Sequence, residues 1–125
     1  MKTRKITVLL LMIPFLVMSQ KEKNGKVYKN HPAIEIVNQF NKAYVEGDVE
    51  TLKSLVSEDF KMWNSMNNNP NYKGGDINNL TGQSAWMSKN FNDISLKDRG
   101  SAYSDAVEYK GDGTYVYTFQ MFTAW

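Results

Sequence analysis

The sequence predicts an α+β fold, with helices gathered on one side of an antiparallel sheet. Three observations carry that reading. Two apolar-striped helical segments join through a single tight corner, a third helical segment follows a long polar loop, and alternating strand segments close the chain around a glycine-bearing turn. The order helix, helix, strand, helix, strand, strand segregates the helices toward one side of an antiparallel sheet, which is α+β rather than a parallel doubly wound fold. No internal repeat is present at a spacing of about 20 to 50 residues.

Before the first helix, Lys2, Arg4 and Lys5 precede an apolar run from Ile6 to Met18, followed by small and polar residues. That is the order of a secretory signal peptide. The run of 13 residues, at about 1.5 Å rise each, covers roughly 20 Å of a hydrocarbon core about 30 Å thick. Residues 1–19 are therefore expected to direct export, with Val17 and Ser19 in the small-residue positions and cleavage before Gln20. The expected product is secreted or periplasmic, with no stable membrane anchor.

Export changes the charge balance. The whole chain has 15 Lys plus Arg against 13 Asp plus Glu, a formal +2, and without Lys2, Arg4 and Lys5 the count is 12 against 13, a formal −1. The remaining lysines are scattered among acids, so no clustered basic surface for nucleic acid is expected. Cysteine is absent, which excludes disulfides, thiolate metal sites, a cysteine nucleophile and a lipid-modified amino-terminal cysteine. His31 is the only histidine, so no His-rich metal site can form, and neither cofactor nor metal is expected.

Residues 20–31 are polar and read as a flexible lead-in to a single domain over 32–125. Pro32 suits the first helical position, and Ala33, Ile36, Val37, Phe40, Ala43 and Tyr44 fall in one stripe at 100° per residue. Gly47 can take the left-handed conformation that ends this helix, and Asp48 can cap the next, whose apolar side is Val49, Leu52, Leu55 and Val56. The segment "DFKMW" alternates as a strand. An Asn-, Gly- and Pro-bearing loop then leads to a third helix around Gly82 to Phe91, with Thr81 available as its cap. "ISLKDRG", "DAVEYK" and "TYVYTFQMFTAW" read as strands, the last two joined at Gly111, Asp112 and Gly113. In the last, Tyr115, Tyr117, Phe119 and Met121 alternate with Thr118 and Gln120 and are expected to face the core.

The opening helix, the corner "EGD", the second helix with "LVSEDF" and a strand from Phe60 together resemble the nuclear transport factor 2-like superfamily, which includes SnoaL-type cyclases and ketosteroid isomerases. "HPAIEIVNQFNKAYVEGD" and "YSDAVEYKGDGTYVYTFQMFTAW" are similar to its secreted members from Bacteroidetes-type bacteria. The resemblance runs from about Pro32 to Trp125 and implies a cone-shaped fold with a curved sheet around a long helix and an apolar cavity. It also implies that "GTYVYTFQMFTAW" is an inner strand of a sheet whose last strands are missing. Homodimers through the sheet are implied as well.

The catalytic residues of the resemblance do not carry over. Aligned on Gly47 and Asp48, Phe40 stands where the isomerases carry a phenol, and Asn64 where they carry the carboxylate base. Their third group falls beyond Trp125, and no acid lies between Thr114 and Trp125 to serve as the buried acid of the SnoaL type. No catalytic residue is assigned. Phe40, Tyr44, Trp63, Trp86, Tyr103, Tyr117 and Phe119 either line a pocket for a flat apolar ligand or form the core of a small domain. Asp48, Asp59, Glu58 and Asp112 suit caps, corners and turns, and His31 before Pro32 suits a helix start. The expected function is a non-catalytic module that binds a small apolar ligand or a second copy of itself. The alternative is a SnoaL-like isomerase, cyclase or dehydratase acting on an enolisable carbonyl compound.

Overall fold

The structure is a computed structural model that describes residues 24–125. The signal peptide expected over residues 1–19, and residues 20–23 of the lead-in, lie outside the described residues. Within them the architecture is α+β with antiparallel sheets. In chain order the elements are β1 (Gly25–Tyr28), α1 (Pro32–Glu46), α2 (Val49–Ser54), α3 (Ile77–Asn90), β2 (Ser95–Asp98), β3 (Asp105–Tyr109), β4 (Gly113–Tyr117) and β5 (Gln120–Thr123).

Helix α1 starts and stops for local reasons. Pro32 needs no amide partner in the first turn, and His31 caps the helix by accepting from Ala33 N at its Nδ1, 3.1 Å away. At the other end Gly47 has φ 72°, and the amide of Asp48 reaches Ala43 O at 2.9 Å. Asp48 then caps α2 by accepting from Thr51 N at 3.0 Å. Helix α3 begins at Ile77 rather than Gly82, because Asp76 and Asn79 form a reciprocal capping box. Thr81 is consequently inside the helix, and its hydroxyl donates to Ile77 O at 2.9 Å.

The three helices pack on one another, and only α1 touches the strands. The result is a sheet layer, α1, and behind it α2 with α3. The helical core is Ala43, Leu52 and Leu80, with Phe40, Tyr44, Phe60, Met62 and Ile77 packed around it. Ser84 is fully buried and donates to Tyr44 O at 2.7 Å, satisfying a carbonyl that the end of α1 leaves without a helical partner.

The strands form two sheets. One has the order β1-β3-β4, with Val27 opposite Val107 and Val107 opposite Tyr115. The other pairs β2 with β5, with Leu96 opposite Phe122. The glycine-bearing turn joins β3 to β4, with Gly111 at φ 81° and Gly113 at φ 112°.

Several expectations are corrected. Part of the expected flexible lead-in is β1, a strand whose pairing with β3 is made by backbone groups and needs few apolar side chains. "DFKMW" is no strand: it makes one isolated bridge, Met62 with Gly75, and Phe60 turns into the helical core instead. "TYVYTFQMFTAW" is two strands, since β4 pairs with β3 and β5 with β2. Tyr115, Tyr117, Phe119 and Met121 do not face the core; they are 43 to 55% exposed, because α1 lies on the opposite face, where Ala106 is fully buried.

Candidate functional site

The seven aromatic residues expected to line a pocket occupy separate places. Phe40 packs on Phe60 with ring centroids 6.4 Å apart, inside the helical layer. Tyr44 lies beside it, half-buried, and its hydroxyl donates to Met87 Sδ at 3.3 Å; burial pushes its phenol above the ordinary range. Trp63 is exposed and stands edge-on to Tyr72 above Gly74, where an added Cβ would lie 3.1 Å from the indole. Trp86 is exposed against Phe91. Tyr117 and Phe119 are exposed on the strand side. Tyr103 is exposed too, with Lys29 Nζ 4.4 Å above its ring. Asn64, at the position of the isomerase base, is an exposed loop residue accepting from Met66 N at 2.8 Å.

The sheet itself holds two features. On its inner side Glu108 of β3 accepts from Tyr28 Oη at 2.8 Å and contacts His31 Nε2 at 3.1 Å. Because His31 Nδ1 already accepts from Ala33 N, the hydrogen on a neutral ring sits on Nε2, which donates to Glu108. One carboxylate thereby ties β1, β3 and the start of α1 together. The Tyr28 hydrogen bond, and then that of His31, hold the Glu108 carboxyl below its usual value, and Glu108 in turn raises the Tyr28 phenol. Such a carboxylate is ionised and engaged on both oxygens, the opposite of a general acid with a raised pKa. The sequence gives no signal for it, since its partners lie 80 and 77 positions away.

On the outer side, Val27, Val107 and Tyr115 stand in register across three strands, flanked by Tyr109 and Tyr117. Tyr109 and Tyr115 meet edge-on with centroids 5.3 Å apart. The Tyr109 phenol raises the Tyr117 phenol by hydrogen bonding, and the Asp112 carboxylate raises that of Tyr115, 2.8 Å away. None of these five is charged, Asp105 stands opposite Tyr117 at the end of the same face, and Val27, Tyr115 and Tyr117 are exposed.

Cavities border both sheets. One of about 300 Å³ lies between α1 and the β2-β5 pair, bounded by Asn38, Asn41, Lys42, Ser95 and Gln120 with Val45, Ile94 and Leu96. The other, about 280 Å³, is bounded by Gly25, Lys26, Glu108, Tyr109 and Lys110. None of the seven aromatic candidates borders either. Among the described residues no group of three His, Cys, Asp or Glu side chains is placed to hold a metal, and no helix is long and apolar enough to cross a membrane.

Three other acids act locally. Asp48 caps α2, Asp59 accepts from Ser57 Oγ at 2.6 Å and Asp112 holds Tyr115. Hydrogen bonds from Thr51 lower Asp48, and that from Ser57 lowers Asp59. Comparison with known proteins yields no matching family model, no matching curated protein and no matching solved structure.

Proposed function

We propose that the chain is an exported nuclear transport factor 2-like module that acts by binding rather than catalysis, and that its partner is a second copy docked through the outer face of the three-stranded sheet. The observation that carries the reading is the outer face itself. Val27 is 67% exposed on β1, and Tyr115 43% and Tyr117 46% on β4, the two strands that flank β3. Phe119 and Met121, both exposed, continue the row along the same stretch of chain. With aromatic side chains of about 150–250 Å² each, the patch reaches several hundred Å², a size that marks an interaction surface.

A symmetric pair presses the same patch against itself, so the patch must tolerate its own copy. This one does, because its centre at Val27, Val107 and Tyr115 is uncharged, its phenols both donate and accept, and its carboxylates, Asp105 and Asp112, stand at its ends. Pairing is favoured over enclosure of an apolar ligand because the aromatic residues that would line such a cavity are either packed among helices or turned outward on different elements. The helical layer over one sheet face, and the long helix at its centre, support the cone-shaped reading. The carboxyls of Asp48, Asp59 and Glu108 are all held below their usual values by hydrogen bonds, which supports binding over proton transfer.

Sedimentation velocity on the protein from about 5 to 200 µM, the range of a modest interface, tests the proposal. The wild type should pass from monomer to dimer, and Val27→Glu with Tyr117→Glu should stay monomeric with an unchanged circular dichroism spectrum. A wild type that is monomeric throughout, or a double variant that still dimerises, would refute it.

A further inference from the structure

The stripe that α1 turns toward the second sheet breaks the amphipathic rule. Asn38, Asn41, Lys42 and Val45 recur at three- and four-residue spacing and so share one side of the helix. That side borders β2 and β5. A helix side facing a sheet is ordinarily apolar and close-packed. Here amides occupy it, and an open cleft of about 300 Å³ lies beside them, with Asn38 and Lys42 exposed at its rim.

The amides have hydrogen-bonding capacity left over. Asn41 Nδ2 donates to Gln120 Oε1 at 2.9 Å, and Gln120 Nε2 reaches Asp98 Oδ1 only at 3.5 Å. A side-chain amide offers two N–H donors and a carbonyl with two lone pairs, so Asn41 Oδ1 and most of the Gln120 amino group are unused. Asn38 makes no side-chain hydrogen bond to any described residue. Beside these groups, Val45, Ile94 and Leu96 provide an apolar wall.

We propose that this cavity binds a neutral, single-ring polyhydroxylated ligand, a monosaccharide. Its volume lies at the lower limit of small-molecule sites, about 300–1,000 Å³, which restricts the occupant to one ring. Amides suit vicinal hydroxyls because one side chain donates to the first and accepts from the second, while the C–H side of the ring rests on the apolar wall. An apolar occupant would bury the amides unpaired, which is unfavourable for each of them. An anion is disfavoured by Asp98 at the end of the amide chain, and Lys42, at the rim, has the Glu46 carboxylate 4.0 Å away in solvent. The inference stands independently of pairing through the outer face.

The test is a titration of the ¹⁵N-labelled full chain with D-glucose, D-galactose, D-mannose and N-acetyl-D-glucosamine, each to about 50 mM, a ceiling set by the weak binding typical of single-ring ligands. At least one sugar should shift the side-chain amide resonances of Asn38, Asn41 and Gln120 in a saturable way, with a low-millimolar Kd. Asn38→Ala removes no internal hydrogen bond, so it should fold normally and bind at least about fivefold more weakly, the loss of one neutral hydrogen bond. Asn41→Leu should abolish the shifts. Failure of all four sugars to saturate those resonances, or wild-type affinity in both variants, would overturn the proposal.

Discussion

Gly47→Ala would test whether the corner between α1 and α2 fixes the helical layer. Gly47 has φ +72°, where an L side chain costs roughly 1–2 kcal/mol. An added Cβ would also lie 2.8 Å from the Cβ of Ser88 and nearer still to its Oγ, on the part of α3 packed behind the corner. Overpacking of that kind costs about 1–3 kcal/mol. The two effects sum to about 2–5 kcal/mol, set against a total of about 5–15 for a domain. For a domain of about 100 residues each kcal/mol moves Tm by about 4–8 °C, so the variant should melt at least about 8 °C lower. Thermal and urea unfolding followed by circular dichroism would measure this. Adding Ser88→Ala removes the Oγ contact but leaves the Cβ contact and the backbone strain, so the double variant should recover part of the loss and never all of it. A loss below about 0.5 kcal/mol in Gly47→Ala, the scale of an ordinary surface change, or full rescue by Ser88→Ala, would refute the reasoning.

Leu52, with no exposed surface at the centre of the helical core, should cost about 2–5 kcal/mol when replaced by Ala, measured by urea unfolding at constant m-value. Glu108 sets a pH dependence. Its carboxyl is lowered in the folded state from an ordinary 4.5 by Tyr28 and then His31, with Lys26 contributing, so its stabilisation is complete above that ordinary value and disappears as pH falls through the lowered one. The stability difference between wild type and Glu108→Gln should therefore shrink on acidification below about pH 4.5, where the unfolded carboxyl takes its proton. A difference that stays constant from neutral to strongly acidic solution would show that the two hydrogen bonds do not favour the ionised form.

What the sequence revealed, and what it concealed, follows from the range over which each feature is determined. Helix α1 was legible because its period and its stop signal at Gly47 sit within a few residues of one another. The α3 start at Asp76 is local too, but its box closes with Asn79 rather than the usual Glu or Gln, and Thr81 offered a plausible cap further along. Strand β1 was invisible because its existence depends on β3, some 80 residues away, pairing with a segment of polar composition. The reversal of Tyr115 and Tyr117 from core to exterior has the same origin. Alternation establishes that two faces differ, and only the position of α1 determines which is covered. The Glu108 ties and the amide-lined cavity require three-dimensional proximity between residues that share no motif.

The two-sheet arrangement also sets where the chain can change length. Between the paired residues Tyr117 and Gln120 lie two residues, while on the opposite side residues 99–104 bridge Asp98 and Asp105. The longer side has slack: Gly100 carries φ +64° with open space around it, and Ser101 is exposed. One residue inserted there should be absorbed at little loop-closure cost. One residue inserted at Thr118 would reverse the facing of every β5 side chain relative to β4, taking Gln120 and Phe122 away from the side that meets Asn41 and turning Met121 toward it. Insertions and deletions should accordingly be tolerated on one side of the junction and rejected on the other, although both sides are short surface connections.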